Sequence, residues 1–318
     1  MERSDNQLCV TGIGILTPFG IGLEPLWRAY EQRRHSQTSW DYSPGLERVK
    51  RPTNVAHLSE RLGIDHLSKS GLCVSVCTQQ AIEQSGLARG QWDRSRVGIS
   101  IGSAFASANA VKQFSGRILD EGPEAIEPVE FPNTVSNAAA GYLGAMFGVT
   151  GLNITFSAGL VSSSIAISYA CDAIEQNMID IAIAGGVEEF VEGRTDVVGM
   201  ESCSLIVIER LSAAIRRGAP RLGYLTTTMT PPIFVDSDSL GKSEDVRHCS
   251  VVGQNGEKTT RNLAAFTAQF HGVSTIIAYA LGIFSHQHLK IRSASWKDVL
   301  PKDFWHLCFE INPDGHGL

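Results

Sequence analysis

A chain of 318 residues with 43% apolar residues and a net charge of −6 is long enough for a large core and has an ordinary soluble composition. Its basic pairs, Arg33-Arg34, Lys50-Arg51 and Arg216-Arg217, are short and scattered, which argues against a phosphate track for nucleic acid. The longest apolar runs, such as Val273 to Phe284, are too short and too interrupted to span a bilayer, and no charged-then-apolar leader opens the chain, so a cytoplasmic location is expected.

Seven cysteines (Cys9, Cys73, Cys77, Cys171, Cys203, Cys249 and Cys308) are odd in number and lack metal-ligand spacing, so reduced, mostly buried thiols are expected. Cys73 and Cys77 stand four apart, which suits one helical face better than a redox or zinc pair. The nine histidines form no HExxH or clustered pattern, so neither a metal nor a cofactor is expected.

In chain order, Leu8 to Thr17 is a β-rich run that Pro18-Phe19-Gly20 breaks before an amphipathic helix, Leu23 to Arg33, with Leu26, Trp27 and Tyr30 on its apolar side. Glycines at 12 and 14 invite a dinucleotide reading, but the third glycine of GxGxxG falls on Thr17, followed by proline. Arg34 to Arg61 is polar and reads as a surface excursion. His66 to Ser85 is a helix carrying Leu67, Leu72, Val76 and Ile82, and Val97 to Ile101 a strand. Asp120 to Pro132 reads as a loop rich in Pro, Gly and Glu. The segment after that loop carries Ala138, Ala139, Ala140, Gly144 and Ala145, small residues that permit close helix contact.

Asn153 to Phe156 is a short strand, followed by a tight Ser-Ala-Gly turn, a helix from Ser162 to Asn177 with Ile165, Tyr169, Ala173 and Ile174 on one face, and a strand closing on Gly185-Gly186. A strand-turn-helix of this kind aims one side chain at a helix N-terminus, where unpaired N–H groups and the dipole stabilise an anion and lower a thiol's pKa. The residue on offer is Leu160, which can be neither nucleophile, acid nor base. Cys203 to Arg210 is a further strand, Leu211 to Gly218 a short helix with a basic end, Leu263 to His286 a helix, and Cys308 to Ile311 a last strand.

On these residues the chain resembles the β-ketoacyl synthases, thiolase-fold enzymes whose nucleophilic cysteine heads such a helix. Val10 through Gly20 follow the family's opening pattern V-T-G-[IM]-G-x-[VL]-[ST]-P-x-G. Ser162-Ser163, Ala166, Ala170, Cys171 and Asp180 through Val187 fall on the family's elbow without a gap, and its cysteine position falls on Leu160. Sliding the fit so that Val161 takes that place still supplies no nucleophile. Pro132, Asn137, Gly141, Phe147 and Gly148 match a later segment. Val198-Gly199 with Leu205 to Arg210 resemble the family's glycine-rich approach and closing strand, although Glu201, Ser202 and Cys203 replace its glycines.

The resemblance implies an α/β, thiolase-like fold: a duplicated five-layer α-β-α-β-α architecture with an N-terminal half over residues 1–221 and a shortened C-terminal half over residues 222–318. On the family's register Arg261 replaces a lysine, Phe266 one catalytic histidine, and Asn255, in the relic Val251 to Gly256, the other. The family's last strand leads into a loop whose N–H serves the oxyanion hole; here Asn312-Pro313 follows, and proline has no N–H to donate. With Leu160, Asn255 and Phe266 at the degenerate positions, no catalytic residue remains.

Among ketosynthase-like proteins the resemblance points to the chain-length factor, or β subunit, of type II polyketide synthases. This is a non-catalytic subunit that forms a heterodimer with a catalytic ketosynthase and helps shape the acyl tunnel. Many such subunits carry glutamine at the cysteine position, and Leu160 cannot polarise a carboxylate as a glutamine could. An acyl carrier protein would be met mainly through the partner. The tunnel or interface candidates are Phe105, Val111 and Phe114, in the segment the family places at its dimer interface, and Val129, Glu130 and Phe131, before the proline where active relatives reach toward the partner's acyl pocket. Two alternatives remain open. One is an acyltransferase or hydrolase with a relocated serine, Ser157, Ser162 or Ser163, and His271 as base; the other is an inert homodimeric scaffold.

Overall fold

The computed structural model describes residues 7–34, 67–87, 92–189, 201–229, 246–252, 258–262, 293–299 and 305–311. Strand β1 (Leu8–Thr17) is buried at every position, so its near-continuous aliphatic run reflects helices on both faces. Its two glycines have a packing reason. A Cβ at Gly12 or Gly14 would overlap the Ala81 or Cys77 carbonyl of helix α2 (Lys69–Ser85), so the helix lies directly on the strand and no nucleotide site is needed to explain them. The start of α2 is capped by Ser68, whose hydroxyl accepts from the Gly71 N–H, and its end by Gly86 in the left-handed conformation.

Strands β3 (Val97–Gly102), β4 (Asn153–Phe156) and β5 (Ile181–Glu188) are parallel neighbours, and β6 (Ser202–Arg210) runs antiparallel between β5 and β1. Helices α1 (Leu23–Arg34) and α5 (Ser162–Glu175) cover one face; α2 and α4 (Ala138–Phe147) cover the other. The alternation is clean along β6, where Ile206 and Ile208 join the first core and Leu205 and Val207 the second. A short helix, α6 (Leu211–Arg216), follows β6.

The described strands of the second half are β7 (Gly223–Met229), β8 (Val246–Val252), β9 (Lys258–Asn262), β10 (Ser293–Val299) and β11 (Trp305–Ile311). They continue the first sheet through the β1–β7 pair, Leu8↔Leu225 to Val10↔Gly223, giving one 11-stranded sheet in the order β4-β3-β5-β6-β1-β7-β11-β10-β8-β9. The short β2 (Gly20–Ile21) pairs with β1 off that path. Taken outward from the β1–β7 junction, each half has its strands in the same sequence-order permutation, first, fifth, fourth, second, third. The strand directions are not repeated. The described pairs among β7 to β11 are all antiparallel; for β8 and β9 the reason is the five-residue link over 253–257, far too short for the crossover a parallel pair needs.

Several local expectations change. Arg261 lies inside β9 opposite Cys249, so it does not stand at the head of a helix. The loop expected over Asp120 to Pro132 is instead the end of helix α3 (Ala108–Glu121) followed by 3-10 turns at Pro123–Ala125 and Pro128–Thr134. Each turn opens on a proline, whose missing N–H would have no partner there in any case. The helix expected from Leu263 to His286, with Phe266 and His271, and the Asn255 position lie outside the described residues.

Candidate functional site

Parallel strands gather chemistry at their C-terminal ends, and here Gly102, Phe156 and Glu188 end three neighbours side by side. The chain leaves β4 through exposed Ser157, Ala158 and Gly159, makes a 3-10 turn over Gly159–Val161, and enters α5 at Ser162. Gly159 has φ +61, a left-handed conformation that glycine adopts without strain. A Cβ at Gly102 would overlap the Ser162 carbonyl, so the first turn of α5 is seated on the end of β3. Ser100 Oγ donates to the Ala166 carbonyl at 2.7 Å and fixes the next turn.

Leu160 occupies the middle of the 3-10 turn, at the head of α5. Neither it nor Val161, the helix's N-cap residue, offers a side chain with a proton to move or an electron pair to donate. The serines nearby are engaged or enclosed. Ser162 Oγ donates to the Gly159 carbonyl at 2.6 Å and accepts from the Ala158 N–H at 3.0 Å, so it closes the turn. Ser163 is fully buried, and its hydroxyl has no hydrogen-bond partner among the described residues. Ser157 is exposed and only approaches the Ala104 carbonyl, at 3.5 Å. No described base lies against any of the three.

None of the five thiols placed among the described residues fills the gap. Cys9, Cys73, Cys77, Cys171 and Cys203 are free and buried, as their spacing led us to expect. Burial raises the Cys171 thiol well above its ordinary pKa, with the nearby Glu175 and Asp172 carboxylates adding to it, and pushes Cys9 up to about 12 with help from Glu209. Cys73 and Cys203 are raised in the same direction by burial first. These thiols are inert packing groups.

Of the residues expected at a tunnel or interface, Val111, Phe114, Val129, Glu130 and Phe131 fall together on an arm made of α3 and the two 3-10 turns, and Phe105 lies half-buried in the turn that leads into it. Helix α3 has no buried residue, and neither have the two 3-10 turns behind it. Leu119 is 84% exposed and Phe131 59%, with Val111, Ile118, Val129 and Val135 also exposed. Phe114 and Phe131 meet edge to face with centroids 6.2 Å apart. Arg117 grips both carboxylate oxygens of Glu130 at 2.6 Å and also the Ala125 carbonyl, while Ser107 Oγ donates to the Thr134 carbonyl at 2.8 Å. Glu130 is thus a strut of the arm. The hydrogen bonds and ion pair with Glu130 hold the Arg117 guanidinium above its ordinary pKa.

Of the small residues of α4, two pack inward, while Ala138 and Gly144 are half-buried and Ala145 is exposed. Ala139 and Ala140 are buried in the chain's own core, with Leu143, Met146 and Phe147.

Two glutamates at the end of β5 escaped sequence reading. Glu188 is 2% exposed and its carboxylate accepts from the Ala104 N–H, from the Phe105 N–H at 3.3 Å and from Ser103 Oγ at 3.4 Å. Glu189 accepts from the Ser70 N–H at 2.6 Å, at the head of α2, and from Asn109 Nδ2 at 3.2 Å, in the first turn of α3. The available signal was a carboxylate closing an otherwise aliphatic strand that is buried from Ala182 onward, since buried carboxylates are kept only with partners. Among the described residues no helix is long and apolar enough to cross a membrane, and no group of His, Cys, Asp and Glu could hold a metal ion.

Residues 5–219 match the family model described as "Beta-ketoacyl synthase, N-terminal domain". Over 195 residues the chain is 25% identical to the 3-oxoacyl-[acyl-carrier-protein] synthase 2 of Vibrio harveyi, a match covering 58% of this chain and 46% of that protein. The chain therefore spans about half the length of the curated relatives it matches first. A solved type II PKS acyl-carrier protein in complex with its ketosynthase bound to the hexaketide superposes with a TM-score of 0.69 at 16% identity, covering 96% of this chain and 99% of that one. The ishigamide ketosynthase/chain length factor superposes with a TM-score of 0.65 at 13% identity and the same coverages. These two likenesses carry the thiolase-like ketosynthase fold.

Proposed function

The chain belongs to the β-ketoacyl synthase family, and from that premise we propose that it is a non-catalytic, ketosynthase-like subunit, a chain-length factor. It pairs with a catalytic ketosynthase and helps shape the acyl tunnel of type II polyketide biosynthesis. The supporting observation is the head of α5. Where strand ends, helix dipole and turn converge, Leu160 and Val161 stand in line for the nucleophile's place and Ser162 is spent closing the turn. Decarboxylative condensation needs a thiolate, neutral donors and an oxyanion hole, and losing one component typically costs orders of magnitude in rate. The degenerate positions Asn255 and Phe266 belong to this reading, as does a division of the chain near residue 222 into two thiolase-like halves.

In this reading Phe105 and the arm carrying Val111, Phe114, Val129, Glu130 and Phe131 face the partner ketosynthase. An acyl carrier protein delivers the chain mainly to that partner. The solved neighbours, a ketosynthase with its carrier protein and a ketosynthase/chain length factor, support the kind of assembly.

The test is co-expression with a type II catalytic ketosynthase from the same source. A stable one-to-one complex is expected, with condensation only when the partner's nucleophile is intact. Leu160→Cys in the isolated chain is expected to give no condensation, because the other components are also missing. Ketoacyl products from the chain alone, or an acyl-enzyme lost on Ser157→Ala, would sink the reading in favour of a relocated nucleophile.

A further inference from the structure

The arm has almost no core of its own, yet its start is held by an unusual set of bonds. We infer that Glu188 and Glu189 are positioning residues that clamp the junction between β3 and α3, setting the direction in which Phe105 and the arm leave the sheet. The inference rests on the reading above only for what the arm faces; the clamp is a property of this chain.

After β3 ends at Gly102, the turn over residues 103–106 points successive N–H groups inward. Such a turn leaves an anion-binding concavity. The chain fills it with its own carboxylate: Glu188 takes the N–H groups of Ala104 and Phe105 and the Ser103 hydroxyl. Ser103 Oγ in turn accepts from the Ala106 N–H at 2.7 Å. Ala106 has φ +47, a conformation an alanine holds only when its surroundings impose it, and the Glu188–Ser103 relay is what imposes it. The next residue, Glu189, just past the end of β5, ties Asn109 of α3 to the Ser70 N–H of α2. Two consecutive carboxylates, one closing β5 and one just after it, therefore fix two points of one rigid corner, at Ala104–Phe105 and at Asn109, and a helix is aimed by fixing two points near its start. Charge-assisted bonds of this kind are the stronger sort.

Amide hydrogen exchange on the isolated full chain tests the clamp. In Glu188→Gln, which keeps shape but turns one acceptor into a donor, the Ala104 and Phe105 amides are expected to exchange at least about tenfold faster, the equivalent of one charge-assisted hydrogen bond. Amides of β1 and β6 should be unchanged. Glu189→Gln should speed the Ser70 amide instead. In Glu188→Ala the vacated concavity should take up formate, and added sodium formate should restore slow exchange at Ala104 and Phe105 where equal sodium chloride does not. If the alanine variant does not fold, the glutamine variant carries the test alone. Unchanged exchange at both amides in Glu188→Gln, or a uniform loss across the sheet, overturns the inference.

A second readout separates it from the proposed function. With the partner ketosynthase, Glu188→Gln is expected to broaden the product-length distribution. Faster Ala104 and Phe105 exchange with an intact complex and unchanged products would keep the clamp and remove the tunnel role of the arm.

Discussion

Helices α3 and α4 flank one surface excursion and have opposite fates. Helix α4 turns Ala139, Ala140, Leu143, Met146 and Phe147 into the core, whereas α3 buries nothing although it carries Val111, Phe114 and Ile118. The contrast teaches that apolar periodicity alone does not tell a core helix from one kept for something outside the chain. Helix α4 lies on β3 and α2, which accept its apolar face; α3 leaves the sheet at the Ala104–Ala106 corner, where polar ties hold it.

The largest effect that sharpens this contrast is expected in α4. Leu143 is fully buried, and Leu143→Ala should lower unfolding free energy by about 2–5 kcal/mol in urea titrations of the isolated chain. A loss below that range would mean the second core is looser than its burial implies. Next comes Phe131→Ser on the arm. It should change the chain's own stability by about 0.5 kcal/mol or less, yet weaken the complex with a catalytic ketosynthase by about tenfold or more, roughly 1.4 kcal/mol, in titration calorimetry. Equal losses in both measurements would erase the distinction between the two helices.

Arg117→Ala should be milder. Its pair with Glu130 is about one-third exposed on each side and screened by solvent, so thermal stability should hardly change, while proteolysis at residues 122–130 should accelerate because the arm loses its strut. The smallest effect concerns pH. Burial raises the Asp172 carboxyl, and burial with Asp172 beside it raises Glu175. A carboxyl whose folded pKa lies above its unfolded one binds its proton more tightly when folded. Stability therefore declines as pH rises from the ordinary carboxylate range through the raised values. Asp172→Asn should flatten that slope in thermal melts taken across the mildly acidic range; an unchanged slope would assign it elsewhere.

Much of the first half was legible before any coordinates. The strand Leu8–Thr17, the elbow from Asn153 to Val187 and the closing strand to Arg210 are aliphatic runs punctuated by glycine and proline, and local sterics decide such runs. The 3-10 turns at Pro123 and Pro128 were missed because a Pro-rich, acidic stretch has the same composition as a loop. Arg261 was misplaced because a strand joined by a hairpin and a helix after a crossover compete for the same short polar stretch.

What the amino-acid sequence determined alone was the chemistry at one position: a hydrocarbon at residue 160 moves no proton in any fold, and its place between a short strand and a long helix follows from local periodicity. Only the tertiary structure decided which apolar helix faces were covered and what Glu188 and Glu189 were for. Burial and hydrogen-bond partnership are made by residues far apart in the chain, Glu188 with Ala104 and Glu189 with Ser70, and no local pattern encodes who will stand opposite.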